Sequence, residues 1–169
     1  SQSQTQNPTM LIEHGFRILA GLFATTVGGV PKPRVDALDV TTNGIRHEII
    51  RDKKHHGGTE KAVCLLSVET MEHLQSLGHP IHGGSTGENI LINVPQASLS
   101  VGVQLKFNQV ELEITTAAPP CKTIADSFSG GDFNQLSDKK YPGQTRWYAR
   151  VLQEGIIHEE EQVSINSNA

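Results

Sequence analysis

Cysteine is scarce: Cys64 and Cys121 are the only two in 169 residues, too few for a disulfide framework. No CxxC or HxxxH spacing accompanies them, so the usual closed zinc sites are excluded. Aromatic residues make up 5% of the chain, with one Trp, and there are two Met; a core must therefore come from Val, Leu and Ile. No run of 18 apolar residues is present, which excludes a helical membrane span. The N-terminal stretch also lacks a signal peptide's apolar segment, so a cytoplasmic protein without a membrane partner is expected. Positive charge is in deficit, with 14 Lys and Arg against 18 Asp and Glu, a net charge of −4 and a pI near 6.0. A general nucleic-acid binder needs the opposite balance.

What is abundant is chain punctuation. Sixteen glycines and eight prolines cut the sequence into short pieces, which favours many short strands over long helices. The length suits one domain. Residues 1–10 read as a flexible tail, 11–165 as the domain and 166–169 as a second tail. Residues 16–23 form an apolar run that reads as a buried strand, closed by the breakers Gly28, Gly29, Pro31 and Pro33. Residues 35–41 follow, with Val35, Ala37 and Val40 inward, and Asn43-Gly44 marks a tight turn. Residues 62–66 read as a buried strand with Cys64 as packing. Ser67 caps a helix over 68–77, with Met71, Leu74 and Leu77 on one face and Gly78 as its stop. Strands are expected at 90–92, 103–107, 110–115, 146–152 and within 156–165. Residues 127–143 look too polar for core and read as a flap. Seven to nine strands and one clear helix predict a mainly β, barrel-like domain with a few short helices.

Three stretches carry candidate chemistry. Pro119-Pro120 fixes the backbone ahead of Cys121 and removes two donors, which places the thiol where a strand has just ended. At such a rim a reactive thiol and a small packing residue both fit. Asp52, His55, His56, Gly57, Gly58 and Lys61 bring cations beside a pair of glycines whose amides can approach an anion; a cradle and a solvated basic turn both fit that composition. Glu88 and Asn89 close a glycine-rich loop that lacks the Gly-Lys-Ser/Thr ending of a nucleotide P-loop. A thiolate at neutral pH needs nearby cations, and Lys122, Arg146 and the His55-His56 segment are the available ones.

In order along the chain, Gly44-Ile45, Glu48, Asp52, His56-Gly57-Gly58, Lys61-Ala62-Val63, Gly87-Glu88-Asn89-Ile90, Pro120-Cys121 and Trp147-Tyr148-Ala149-Arg150-Val151 resemble the molybdenum cofactor sulfurase C-terminal (MOSC) domain family, in its small stand-alone bacterial form. The family commonly has Gly-Asp at His47-Glu48 and often Gly at Arg146; the arginine adds a cation, expected at the site mouth. The resemblance implies a distorted β-barrel that holds the molybdenum cofactor (molybdopterin). It implies cofactor-binding roles for Asp52, His55, His56, Gly57, Gly58, Lys61, Glu88, Asn89 and Arg146. Cys121 is implied as catalytic residue and molybdenum ligand, in an oxidoreductase that reduces N-hydroxylated compounds with a redox partner. Two other readings are a persulfide sulfur carrier served by a separate pyridoxal-phosphate cysteine desulfurase, with no pyridoxal phosphate site in this chain, and a non-catalytic interaction module.

Overall fold

The computed structural model describes residues 9–10, 18–49 and 57–166. Its backbone is the pair of long strands β8, Glu111–Ala118, and β9, Arg146–Gln153. Along β8 the alternation Glu-Leu-Glu-Ile turns Leu112 and Ile114 inward, both essentially buried, as period-two side-chain geometry demands. The β8–β9 register slips between Ile114 and Thr116. At that irregularity the Thr115 hydroxyl donates to the carbonyl of Glu60 at 2.6 Å, with the carbonyl of Tyr148 an alternative acceptor at 3.2 Å.

The remaining strands are β1 (Thr9–Met10), β2 (Leu19–Leu22), β3 (Ala37–Thr41), β4 (Gly44–Ile45), β5 (Val63–Ser67), β6 (Ile90–Ile92), β7 (Gln104–Lys106), β10 (Gly155–His158) and β11 (Ser164–Asn166). Eight of the eleven strands form one sheet in the order β1-β11-β7-β8-β9-β5-β6-β2, and β10-β3-β4 form a second. All pairings are antiparallel except β5–β6, the one pair separated by a helical crossover. Two cores result. The larger gathers Leu22, Leu38, Val40, Leu65, Leu105 and Ile114 with their neighbours. The smaller packs Leu66, Leu74, Ile124, Phe128 and Leu136.

The crossover is α1, Val68–Ser76; Ser67 accepts from the amide of Glu69 at 3.1 Å and so caps it. Its inward face is Thr70 and Leu74. Leu77, expected on that face, is 57% exposed, because the helix ends one residue earlier and Gly78 turns away with φ 96°.

Three further expectations change. In β3 the buried residues are Leu38 and Val40, with Ala37 half-exposed; Val40 and Leu38, two apart, share one face, and Ala37, an odd number of residues from Val40, must take the other. Residues 127–143 are no polar flap: they carry the 3₁₀ turns Ser129–Gly131 and Phe133–Leu136, and Phe128 and Leu136 are buried in one core with Leu66 and Leu74. Their apolar residues are too widely spaced for the period of a helix or a strand, which hid them. Thr9, Met10 and Asn166, assigned to the tails, pair in the large sheet.

The outer edge of β10 is closed by side chains. Ile156 N–H donates to Gln109 Oε1 at 2.9 Å, and His158 N–H to Glu161 Oε2 at 2.8 Å. Glu161 is buried and takes the Asn108 amide as well.

Candidate functional site

Where β5, β6 and β9 leave the barrel wall, a cavity of about 440 Å³ opens, within the range of small-molecule and cofactor sites. One side of it is the loop after β2, with Gly28, Gly29, Val30 and Lys32. The others are Glu48 and Ile49; Gly57, Lys61 and Cys64; Thr86, Gly87 and Asn89; Thr123 and Ile124; and Arg146 and Tyr148 from β9.

Asn89 holds the junction. Its Oδ1 accepts from the Cys64 amide at 3.1 Å, and its Nδ2 donates to the carbonyl of Phe23 at 3.0 Å and to the Glu48 carboxylate at 3.1 and 3.2 Å. One side chain thus ties three segments that are distant in sequence. Glu48 enters the wall through His47, whose φ of 67° is the only positive value outside glycine among the described residues. Its carboxylate then meets Lys32 Nζ at 3.2 Å and the Thr25 amide at 3.1 Å.

Arg146 forms the floor. The expectation of a cation at the mouth fails: the residue is 3% exposed, because β9 turns it beneath the loop that carries Thr86. Nη1 donates to the Thr86 carbonyl at 2.7 Å, and Nη2 to those of Pro119 at 3.0 Å and Ala118 at 3.5 Å. No carboxylate pairs with it among the described residues, and its Nε is buried without an acceptor. A full charge met by carbonyl dipoles alone among the described residues retains strong affinity for an anion. Lys61 reaches the wall from the 3₁₀ turn Thr59–Lys61, with Nζ 5.6 Å from the Tyr148 ring centroid. Arg150 Nη2 pins that turn through Glu60 Oε1 at 3.0 Å.

Glu88 and Asn89 have different parts. Glu88 is fully buried, outside the cavity wall, and accepts from the Gly84 amide and from the amide and hydroxyl of Thr86. It shapes the loop that receives Arg146. Gly57 lines the cavity, whereas Gly58, expected beside it in the cradle, does not. Asp52, His55 and His56 lie outside the described residues.

The two thiols are in opposite situations. Cys64 lies in the wall, buried with Ala118 and Tyr148, and burial pushes its thiol from 9.0 up to about 11 against the pull of Arg146 and Lys32. It is an inert, protonated group at neutral pH. Cys121 is half-exposed at the start of the 3₁₀ turn Lys122–Ser127, with Sγ 2.8 Å from Thr123 Oγ1. Thr123, not Cys121 itself, is in the cavity wall. Lys32 and Tyr148 were missed as site residues; the first stands in a breaker loop and the second in an apolar strand, contexts that carry no local sign of a site. No group of three or more His, Cys, Asp and Glu suited to a metal ion occurs among the described residues.

The family model of the MOSC domain matches residues 52–164. The chain belongs to the MOSC domain family. YflK of Bacillus subtilis (strain 168), an uncharacterized protein, is 26% identical over 108 residues, 63% of this chain and 48% of YflK. The MOSC chain therefore spans about half the length of that curated relative. Among solved structures, the YUAD protein from Bacillus subtilis superposes with a TM-score of 0.67 at 16% identity, covering 95% of this chain and 98% of that one. YiiM from Escherichia coli gives 0.66 at 16% identity, over 88% and 69%. These likenesses establish the distorted MOSC-type barrel. No helix among the described residues is long and apolar enough to cross a membrane.

Proposed function

We propose that this MOSC domain binds the molybdenum cofactor in the cavity and serves as a reductase of N-hydroxylated compounds. The observation that carries the reading is Arg146, a buried guanidinium in a cavity wall with no carboxylate partner among the described residues and an unmatched Nε. A phosphate-bearing pterin suits such a wall. Arg146, Lys61 and the backbone at Gly57 would hold its anionic and polar groups, and Asn89 would keep the wall in register. Cys121, whose Sγ lies 2.8 Å from the hydroxyl of the wall residue Thr123, would supply the thiolate ligand, a soft donor suited to molybdenum. When bound, the cofactor supplies two-electron redox chemistry at the metal. Reduction of an N-hydroxy group to N–H then takes two electrons from a separate redox partner and two protons, and releases water.

The half-exposed position of Cys121 also favours a second reading. A thiol outside the cavity wall is open to a pyridoxal-phosphate desulfurase and could carry sulfane sulfur as a persulfide. Expression in a host competent for cofactor synthesis, followed by metal, pterin and persulfide assays, separates the two. Molybdenum near one per chain, lost in Cys121→Ser, supports the first. Persulfide on Cys121 without molybdenum replaces it with the second, and neither would leave an interaction module on the same barrel. Equal pterin content in wild type and Arg146→Met would overturn the assignment of the floor.

A further inference from the structure

Seven large apolar residues are exposed among the described residues, and two of them, Val30 and Ile49, line this cavity. Val30 is 37% exposed and Ile49 48% exposed, and Val27, three residues before Val30 in the same loop, is 73% exposed. The grouping is built by hydrogen bonds around Thr25. Its carbonyl accepts from the Ile49 amide at 3.1 Å, its Oγ1 accepts from the Val27 amide at 3.2 Å, and its own amide donates to Glu48. Val30 in turn leans over Gly87, where an added Cβ would lie 3.4 Å from Val30 Cγ1. The rim is therefore a fixed apolar collar above a polar, cationic interior.

From this arrangement we infer that the substrate of the site is a small molecule with an apolar, aryl-like body beside its polar reacting end, rather than a sugar, a nucleotide or another polar compound. The inference rests on the cofactor reading for the nature of the reacting end, and on the collar for the body. Apolar side chains held in the open around a charged cavity have one evident use, which is to cover an apolar part of what enters. The interior excludes the reverse orientation: Arg146, Lys32 and Glu48 would be stripped of water by an apolar group and given no hydrogen bond in return. A cationic ligand is disfavoured by the floor guanidinium, which meets no carboxylate among the described residues.

Benzohydroxamic acid and acetohydroxamic acid carry the same uncharged N-hydroxy head on a phenyl and a methyl body. Calorimetric titration of the protein purified from a cofactor-competent host should find the phenyl probe bound roughly ten- to thirtyfold more tightly. The double variant Val30→Ser/Ile49→Ser should lose most of that ratio, while Leu152→Ser, which removes an exposed apolar residue from β9, should keep it. Equal affinities in the wild type, a ratio that survives the double variant, or failure of both probes to bind would each overturn the inference. Molybdenum assayed on the same preparation keeps the two readings apart. A phenyl preference without metal condemns the cofactor and leaves the collar, and metal without a preference does the opposite.

Discussion

Arg146 and Thr86, sixty residues apart in the chain, meet through a 2.7 Å hydrogen bond from Nη1 to a main-chain carbonyl. That bond lets β9 hold a charge under the glycine-rich loop with no carboxylate beside it among the described residues. Burying a charge in this way costs stability, and an apolar replacement of similar length removes the cost together with three hydrogen bonds. Arg146→Met is therefore expected to unfold within about 1 kcal/mol of wild type, or above it. Its pterin content, measured after the same expression, should fall sharply. A residue retained for folding would behave in the opposite sense.

Cys64 sets a pH signature. Its thiol is raised from 9.0 to about 11 in the folded chain, so the folded state holds the proton longer than the unfolded one. The resulting stability is complete below pH 9 and is lost as pH rises toward 11, by about 2–3 kcal/mol over the interval. Chemical denaturation across that range should show wild type losing stability faster than Cys64→Ala by this amount. At neutral pH iodoacetamide should alkylate Cys121 and leave Cys64 untouched until the chain unfolds.

His47 is the next test. A φ of 67° is a region that glycine enters freely and a residue with a Cβ does not. The MOSC resemblance places glycine there. His47→Gly should raise the unfolding free energy by about 0.5–1 kcal/mol with Glu48 still seated, as read by thermal denaturation. A loss of stability would mean that the histidine side chain holds the turn.

Two glycines separate conformational strain from collision. Gly78 and Gly84 have φ of 96° and 82°, yet a Cβ at Gly78 meets nothing within 4 Å, while one at Gly84 would lie 2.1 Å from the Lys32 carbonyl. Gly78→Ala should cost about 1 kcal/mol. Gly84→Ala must push apart the Lys32 and Gly84 segments, which are joined by a 2.8 Å hydrogen bond, and should cost about 2–4 kcal/mol and widen the cavity. Comparing the two melting temperatures checks this.

These tests follow the line between what was legible in the sequence and what was not. Strands such as Val63–Ser67 and the Ser67 cap were legible because periodicity and capping are local. The motif Gly87-Glu88-Asn89 was visible, but not the division of labour within it. Glu88 turns back on its own loop, and Asn89 reaches Phe23 and Glu48, 66 and 41 residues away. Arg146 was expected at the mouth as a cation added where the family often has glycine; only three carbonyls arriving from two other segments make its burial tolerable. Leu38 was lost to a one-residue error of parity, which in a strand reverses the face.

Gln109 and Glu161 have a consequence for association between chains. The outward amides of β10 already donate to these two side chains, so an approaching strand would have to displace a glutamine and a buried carboxylate before it gained a single bond. That rim of the small sheet is thereby made a poor template for strand addition, although the exposed Ile156 at its centre would otherwise invite it. Removing both caps would turn the same stretch into a seed for end-to-end growth.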